Sequence, residues 1–463
     1  MTTHAQPKGA GGSARSSSRI PSDDVLFKGA PVLSNKVLLW TSTVCFLAWV
    51  VSVFDFVLFG TLLPVIADSF KWSTGESTAV ATWVTAGTFV VSLVVGPMVD
   101  RLGRKPALII TTAGAALSSG LSGLVTGALT LIGARSVSGL GYSEEIVNSV
   151  YLNETYGKSR RRGFMYSFVQ SGWPVGALLA ALFAAVLLAP LGWRGLFLTA
   201  TIPAIIIALL AFTLKESPAY FALKRARELR KGGQEPRAKQ LAALYDLDIS
   251  RDNKSGFRQL FAPDLRKHTI FLSLAYLLSW MAIQIFAVLG TTVLVAGKDV
   301  SFTGSLVVLM LANVAAFLGY IFHGFVGDRF GRRKTIAVAW MIGGIVQTIM
   351  LFGPNNSGFV IALYALGLFF LNGPFSAMLF YMGESFPARV RGLGSNTVHV
   401  MGPIGALLGA GLLTLILAAG APMTVAAFIS GSLALIAAGL CMLGTRKVVD
   451  EVTKAEPAVN GAS

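Results

Sequence analysis

Charge, histidine and cysteine are scarce in this chain. Of 463 residues, 13% are charged, four are His and two are Cys. A water-soluble protein of this length needs far more charge to cover its surface, so a soluble globule is excluded. Cys45 and Cys441 lie in apolar runs near opposite ends of the sequence, which leaves no disulfide framework and no metal spacing; both read as small buried hydrophobes. The phosphate-cradling pattern G-x-x-x-x-G-K-[ST] is missing, so ATP is not the drive. His323 and His399 fall within apolar runs with no serine or cysteine motif beside them, and an intramembrane hydrolase would need a nucleophile–base pair. The sequence does not read as an enzyme, and it implies no cofactor and no metal.

What it has is apolar length. Hydrophobic residues make up 54% of the chain and the mean hydropathy is +0.67. A bilayer-spanning helix takes about 20 mostly apolar residues, whereas membrane-barrel strands alternate in short segments. The continuous runs predict twelve helices, over 37–66, 77–99, 106–126, 128–152, 163–189, 194–215, 268–296, 302–327, 334–353, 358–383, 394–419 and 422–444. The expected fold is an all-α membrane protein. Six-helix bundles over 37–215 and 268–444 are joined by a cytoplasmic linker over 216–267. Residues 1–36 and 445–463 are expected to be cytoplasmic tails, the first disordered because it is rich in Ser, Gly, Lys and Arg without an apolar face. It does not read as a transit peptide, and no small-residue cleavage site follows the first run.

The placement of positive charge sets the orientation. One set of loops holds Arg101, Arg104 and Lys105; Lys158, Arg160, Arg161 and Arg162; Arg329, Arg332, Arg333 and Lys334; and Arg389 and Arg391. The alternate set has only Lys71 and Lys298. Basic loops stay cytoplasmic, which puts both termini and the linker inside a cell (plasma or inner) membrane. The net charge of +16 then suits an anionic inner leaflet, and nucleic acid is not an expected partner.

Two patterns occur twice. GPMVDRLGRK from Gly96 and GFVGDRFGRR from Gly324 both read G-x-x-x-D-R-x-G-R-[KR], with Asp100 and Asp328 lying 228 residues apart. NETYGKSRRRGF carries Glu154 ahead of Arg162-Gly163, and GESFPARVRGLG carries Glu384 ahead of Arg391-Gly392. Corresponding loops with corresponding chemistry imply two related halves. Gly96 and Gly324 are expected to let helices cross closely. Gly103 and Gly331 should make the tight turn, and the aspartates should meet a helix N-terminus or nearby arginines.

The doubled G-x-x-x-D-R-x-G-R-[KR], placed after the second and eighth spans, resembles the signature loop of the major facilitator superfamily, and the resemblance covers nearly the whole chain. It implies a secondary transporter in which contacts at these loops latch one half against the other. Gly96, Asp100, Arg101, Gly103 and Arg104, with Gly324, Asp328, Arg329, Gly331 and Arg332, would then be gate residues. R135-SVS-G139-L-G141 resembles the family's R-x-x-x-G-x-G motif, which is linked with proton coupling. SVFDFVLFG around Asp55 resembles the F-D-x-x-[LI] first-helix pattern of sialate and aromatic-acid proton symporters. GLGYSEE departs from the G-x-G-x-x-G-E of related metabolite symporters, with Glu144 where a glycine would stand. KESPAYF, from Lys215 to Phe221, resembles the P-E-S-P-R of sugar porters but lacks the leading proline and has Ala219 in place of arginine. The paired glutamines of that branch are missing from SWMAIQIFAVLG, and the closing glycines of drug antiporters from SGWPVGALLAALF.

Ionisable and polar groups within spans point to function. Asp55 is a midspan carboxylate with no base on its own helix. At about 100° per residue, Glu145 lies about 80° round from Arg135 and Glu144 lies opposite it, so Glu145 is expected to share Arg135's interior face. Gln170 and Trp173, at i and i+3, can line one face. With Gln284, Asn313, Asn372, Tyr381, Asn396 and His399 they suggest a polar cavity between the halves, His399 being near enough to the cytoplasmic end to meet water. The reading is a monomeric, proton-coupled secondary transporter in the lipid bilayer that imports a small organic acid by alternating access. Asp55, Arg135, Glu144 and Glu145 would handle the proton; Gln170, Trp173, Gln284, Asn372 and Tyr381 would contact the solute. The alternatives are a sugar or polyol symporter, a proton-driven exporter, or a solute receptor that no longer transports.

Overall fold

The structure is a computed structural model that describes residues 22–29, 34–156, 168–245, 247, 258–386 and 390–447. Lys158, Arg160, Arg161, Arg162, Gly163 and Arg389 lie outside the described residues, as do 1–21, 30–33 and 448–463 and the side chains of Asp100 and Arg391. The described residues are almost all helical, with no strand among them.

By length and apolarity, nine helical stretches of the described residues can cross a membrane. The difference from twelve has three causes. The third span, Arg104–Ser122, is diluted by Ala, Gly, Ser and Thr. The fourth carries Arg135, Glu144 and Glu145 and is broken into Ala128–Ser136, Gly139–Tyr142 and Glu144–Tyr156. The fifth and sixth run together as Gly172–Ala211, a 40-residue stretch interrupted at Gly192, whose φ of 64° and ψ of 171° are not helical. A straight helix of that length would measure about 60 Å, twice a bilayer core. The chain turns back at Gly192 instead. Trp193 Nε1 donates to Ser69 Oγ (3.2 Å) at the end of the first span, while Thr213 Oγ1 accepts from Trp40 Nε1 (2.9 Å) near that span's start. The twelve spans are therefore present in the expected order, from Asn35–Phe70 to Met423–Leu443.

The halves meet at the end of the bundle away from the basic loops. The first span lies on the seventh so closely that a Cβ at Gly60 would collide with the Val288 carbonyl, and Thr291 Oγ1 donates to the Gly60 carbonyl (3.0 Å). The second span meets the eleventh through Thr82 and Thr414 (2.9 Å). Small residues and hydroxyls suit contacts between helices that have no hydrophobic effect to drive them together in lipid. A π turn at Gln284–Val288 bends the seventh span just where it meets the first.

The linker is more ordered than its polarity suggests. Pro218–Lys231 and Glu235–Leu244 form helices that bury Ala222, Ala226, Leu229, Ala238 and Leu241 together. Asp23–Leu26, within the tail expected to be disordered, is a helical turn docked on them. Leu26 enters that small core, and Asp23 Oδ1 accepts from Arg225 Nε (2.7 Å).

Candidate functional site

Three carboxyls and an arginine are buried inside the first half. Asp55 is 2% exposed and Arg135 0%. Arg135 Nη1 donates to Asp55 Oδ1 (2.7 Å), and Nη2 donates to Oδ2 (3.2 Å) and to the Asp55 carbonyl (2.9 Å). Ser119 Oγ donates to the same carboxylate, and the Phe59 and Phe197 rings lie 5.5 and 5.7 Å from the guanidinium carbon. Asp55 is therefore not the isolated carboxylate its own helix suggests. Its base comes from the fourth span, in the fork geometry that suits a desolvated guanidinium–carboxylate pair.

Glu144 and Glu145 diverge. Glu144 accepts from Ser52 Oγ (2.5 Å), Thr112 Oγ1 (3.2 Å) and Asn148 Nδ2 (3.4 Å), entirely among the first, third and fourth spans. Glu145 faces the second half, away from the face it was expected to share with Arg135. The ideal helical angle fails because the span leaves regular helix at Ser143 (φ −80°, ψ 2°).

Glu145 lines a narrow cavity of about 20 Å³ with Trp49, Gln170 and Trp173 from the first half and Trp280, Tyr320 and Asn372 from the second. Trp173 and Trp280 meet edge to face across the join (5.7 Å), and Trp49 tilts against Trp173 (6.0 Å). The buried indole N–H groups of Trp49, Trp173 and Trp280 and both amide atoms of Asn372 have no hydrogen-bond partner. Buried polar groups are normally satisfied, so the cavity is suited to a ligand that brings acceptors. Glu145 Oε2 lies 3.7 Å from His399 Nε2, and His399 Nδ1 lies 3.3 Å from Tyr276 Oη. His399, expected to meet water, instead faces a carboxyl of the other half.

Two expected solute contacts lie elsewhere. Gln284 reaches across to Thr85 Oγ1 (3.4 Å), behind the cavity wall. Tyr381 sits at the basic end, its hydroxyl held by Thr445 Oγ1 (2.7 Å) and by the Arg446 carbonyl. Trp49, Trp280 and Tyr320 were not foreseen, since an aromatic residue in an apolar run carries no mark separating a cavity wall from ordinary packing.

At the signature loops, Gly103 and Gly331 have φ of 108° and 92°, which only glycine adopts without strain. Gly96 and Gly324 do not make the close crossings expected of them. A Cβ on Gly96 would meet nothing within 4 Å, and one on Gly324 would find Ser376 Oγ at an ordinary 3.5 Å. The charged contacts among the described side chains also differ from a latch between halves, since each of them stays within its own half. Arg104 Nη2 donates to Glu154 Oε1 (2.6 Å), and Ser217 Oγ donates to Glu154 Oε2 (2.6 Å). Arg332 bonds Asp328 Oδ1 (2.8 Å) and Glu384. The side chains of Arg101 and Arg329 are exposed. Glu216 of KESPAYF caps the third span, accepting from the Arg104 N–H (3.0 Å) and the Lys105 N–H (3.3 Å), and its burial raises its pKa. The repeat extends further than the motif. Lys105 Nζ donates to the Phe212 carbonyl (2.7 Å) and Arg333 Nη2 to the Leu443 carbonyl (2.6 Å), so each half ties its third helix to the end of its sixth.

Comparison with known proteins agrees with this architecture. A family model described as sugar (and other) transporter matches residues 40–448. The gallate transporter of Pseudomonas putida is 25% identical over 380 residues, covering 79% of this chain and 82% of that one. The cis,cis-muconate transport protein of Acinetobacter baylyi is 26% identical over 369 residues, covering 78% and 84%. The synaptic vesicle 2-related protein of Rattus norvegicus is 25% identical over 420 residues, covering 86% and 76%. With twelve spans, paired signature loops and a family match across nearly all of them, the chain belongs to the sugar (and other) transporter family of the major facilitator superfamily, as a multi-pass membrane transporter of small solutes.

Proposed function

We propose that this protein imports a small organic acid together with a proton, by rocking its two halves about the cavity that holds Glu145. The observation that carries the proposal is the set of partnerless donors there, from Trp49, Trp173, Trp280 and Asn372, which suits a solute rich in acceptors such as a carboxylate. Relatives named for gallate and cis,cis-muconate transport support the same class. Gln170, Trp173 and Asn372 are the expected solute contacts, and Glu145 is the carboxyl placed to exchange a proton beside the solute. The Asp55–Arg135 pair, closed on itself, fastens the first span to the fourth. Glu144 is the buried support that sets the packing of the first and third.

Basic loops favour the cytoplasmic face, and on this reading the described ends of the chain and the linker lie on the cytoplasmic side of a plasma or inner membrane. Contacts between the halves at the opposite end, through Gly60 and Thr291 and through Thr82 and Thr414, support a conformation closed outward, in which the signature loops lie at the end that opens. Those loops are the gate, and Gly96, Asp100, Arg101, Gly103, Arg104, Gly324, Asp328, Arg329, Gly331 and Arg332 belong to it. The cavity is built within one chain, so a monomer suffices.

Proteoliposomes test this reading. Labelled gallate, cis,cis-muconate or benzoate should accumulate when the outside is acidified, with no accumulation when the gradient is collapsed. Uptake of neutral sugars that none of these acids competes with would replace the reading with a sugar or polyol symporter. Acid movement only outward would make it an exporter.

A further inference from the structure

We infer that Glu145 of the fourth span and His399 of the eleventh form one proton site shared between the halves, and that an anionic solute is admitted to the cavity only while this site holds its proton. The inference rests on the reading of the protein as an importer of organic acids. A carboxylate drawn into such a cavity must meet a cation or converging donors to offset its lost hydration. Arg135 is not available, because both of its Nη groups are bonded to Asp55, its charge is paired there, and it does not line the cavity. Lys298 holds the Gly353 carbonyl (2.7 Å) at the far end. His323 points Nδ1 at the Gly319 carbonyl (2.8 Å) of its own helix, and His268 is fixed between Ser385 Oγ and the Arg446 N–H at the basic end. His399 is the basic group that stands against a cavity-lining carboxyl.

The surroundings leave the pair to itself. The titratable groups facing it are Tyr276 of the seventh span, bonded to Nδ1, Tyr320 of the eighth, which lines the cavity with Glu145, and Tyr142 of the fourth, which packs against the cavity-lining Trp280. Among the described residues neither Glu145 nor His399 has a second ion-pair partner.

Counting charge gives the coupling. Without a proton the pair is a carboxylate beside a neutral imidazole, a single negative charge that repels an anion in a low-dielectric site. With one proton the pair is neutral whichever group holds it, and the imidazolium form sets a cation beside the indole N–H groups. The proton enters from the water the cavity faces and leaves with the solute on the other side. The loaded carrier, with proton and carboxylate, and the empty deprotonated carrier then bear the same net charge. Both crossings move the same charge, so transport is electroneutral. Because the two residues sit on opposite halves, rocking also makes and breaks the pair.

The test uses a monocarboxylate, gallate or benzoate, whichever the wild type carries. No acid uptake by the wild type overturns both the functional reading and this inference. If the wild type accumulates acid, Glu145→Gln should lose accumulation driven by the pH gradient, and any acid movement that remains should become sensitive to membrane potential, because its empty site lacks the carboxylate charge. Accumulation by that variant at the wild-type level overturns the inference and leaves the reading standing. His399→Gln should raise the half-saturating concentration about tenfold or more, equivalent to about 1.4 kcal/mol, while the pH dependence survives on Glu145. Should Glu145→Gln be inert, the wild type decides. Gallate added to the purified transporter in weakly buffered solution should draw about one proton from solution for each molecule bound, and no proton uptake overturns the inference.

Discussion

The two copies of the signature loop have the same sequence pattern and different surroundings. In the first, Arg104 is 4% exposed, its guanidinium is closed by Glu154, and Glu216 returns from the end of the sixth span to cap the helix beside it. In the second, the Arg332 side chain is 24% exposed, and Asp328, which it bonds, is 68% exposed. A Cβ on Gly103 would collide with Glu216, whereas one on Gly331 would meet nothing within 4 Å. The same ten-residue pattern thus makes the same turn, and its arginine bonds a glutamate from the corresponding later loop. What the chain does after the sixth helix decides how firmly that turn is held. The first loop is a clamped fixture and the second is the freer partner, an asymmetry that suits two bodies of which one moves against the other.

Removing the arginines should separate the loops most. Arg104→Gln leaves Glu154 largely buried and unpaired, a loss on the order of 3–5 kcal/mol, whereas Arg332→Gln breaks an exposed cluster and should cost at most about 1 kcal/mol. Thermal unfolding of the two purified variants measures the difference, and equal losses would break the comparison.

The glycines come next. Valine at either position is forced to positive φ, a strain of about 1–3 kcal/mol. Gly103→Val adds the collision with Glu216 and should be the less stable of the two. Both variants should transport more slowly with little change in half-saturating concentration. A Gly331→Val protein that is the more damaged would place the rigid loop in the other half.

The smallest effect belongs to Glu216. Its pKa is raised by burial, so the folded protein holds that proton to higher pH than the unfolded chain does. Its contribution is complete below the ordinary carboxylate range and is lost as pH rises through the raised value. Glu216→Gln keeps an oxygen to accept the Arg104 and Lys105 N–H groups, so its stability near neutral pH should change little. The fall in Tm across that acid window should flatten relative to wild type; an identical profile would mean that Glu216 does not titrate in the clamp.

The span order and the repeat were legible because both are local properties. Helix-long apolar runs, basic loops on alternate connections and a motif at matching places need no knowledge of neighbours. The cavity was legible in part. Gln170 and Asn372 stand out as amides in apolar runs, and Trp173 was found through its spacing from Gln170. Trp49, Trp280 and Tyr320 look like any packed aromatic residue. Tyr381 was misplaced because its hydroxyl partners, Thr445 and Arg446, come from a segment beyond the twelfth span. Gly96 was misjudged because a glycine in a helix shows only that closeness is permitted, while the neighbour decides whether it is used.

Read by itself, the sequence determined that this is a twelve-span helical membrane protein of two related halves with paired loops at its basic end, because hydropathy, charge asymmetry and repetition act over one helix or one turn. Tertiary structure decided which buried charges are partners. It joined Asp55 to Arg135 across 80 residues, turned Glu144 inward and Glu145 toward His399 at a break in one helix, and set Glu216 against Gly103. An ion pair in a membrane forms with whichever opposite charge the packing brings within reach, and packing between helices distant in sequence leaves no periodic trace in the chain.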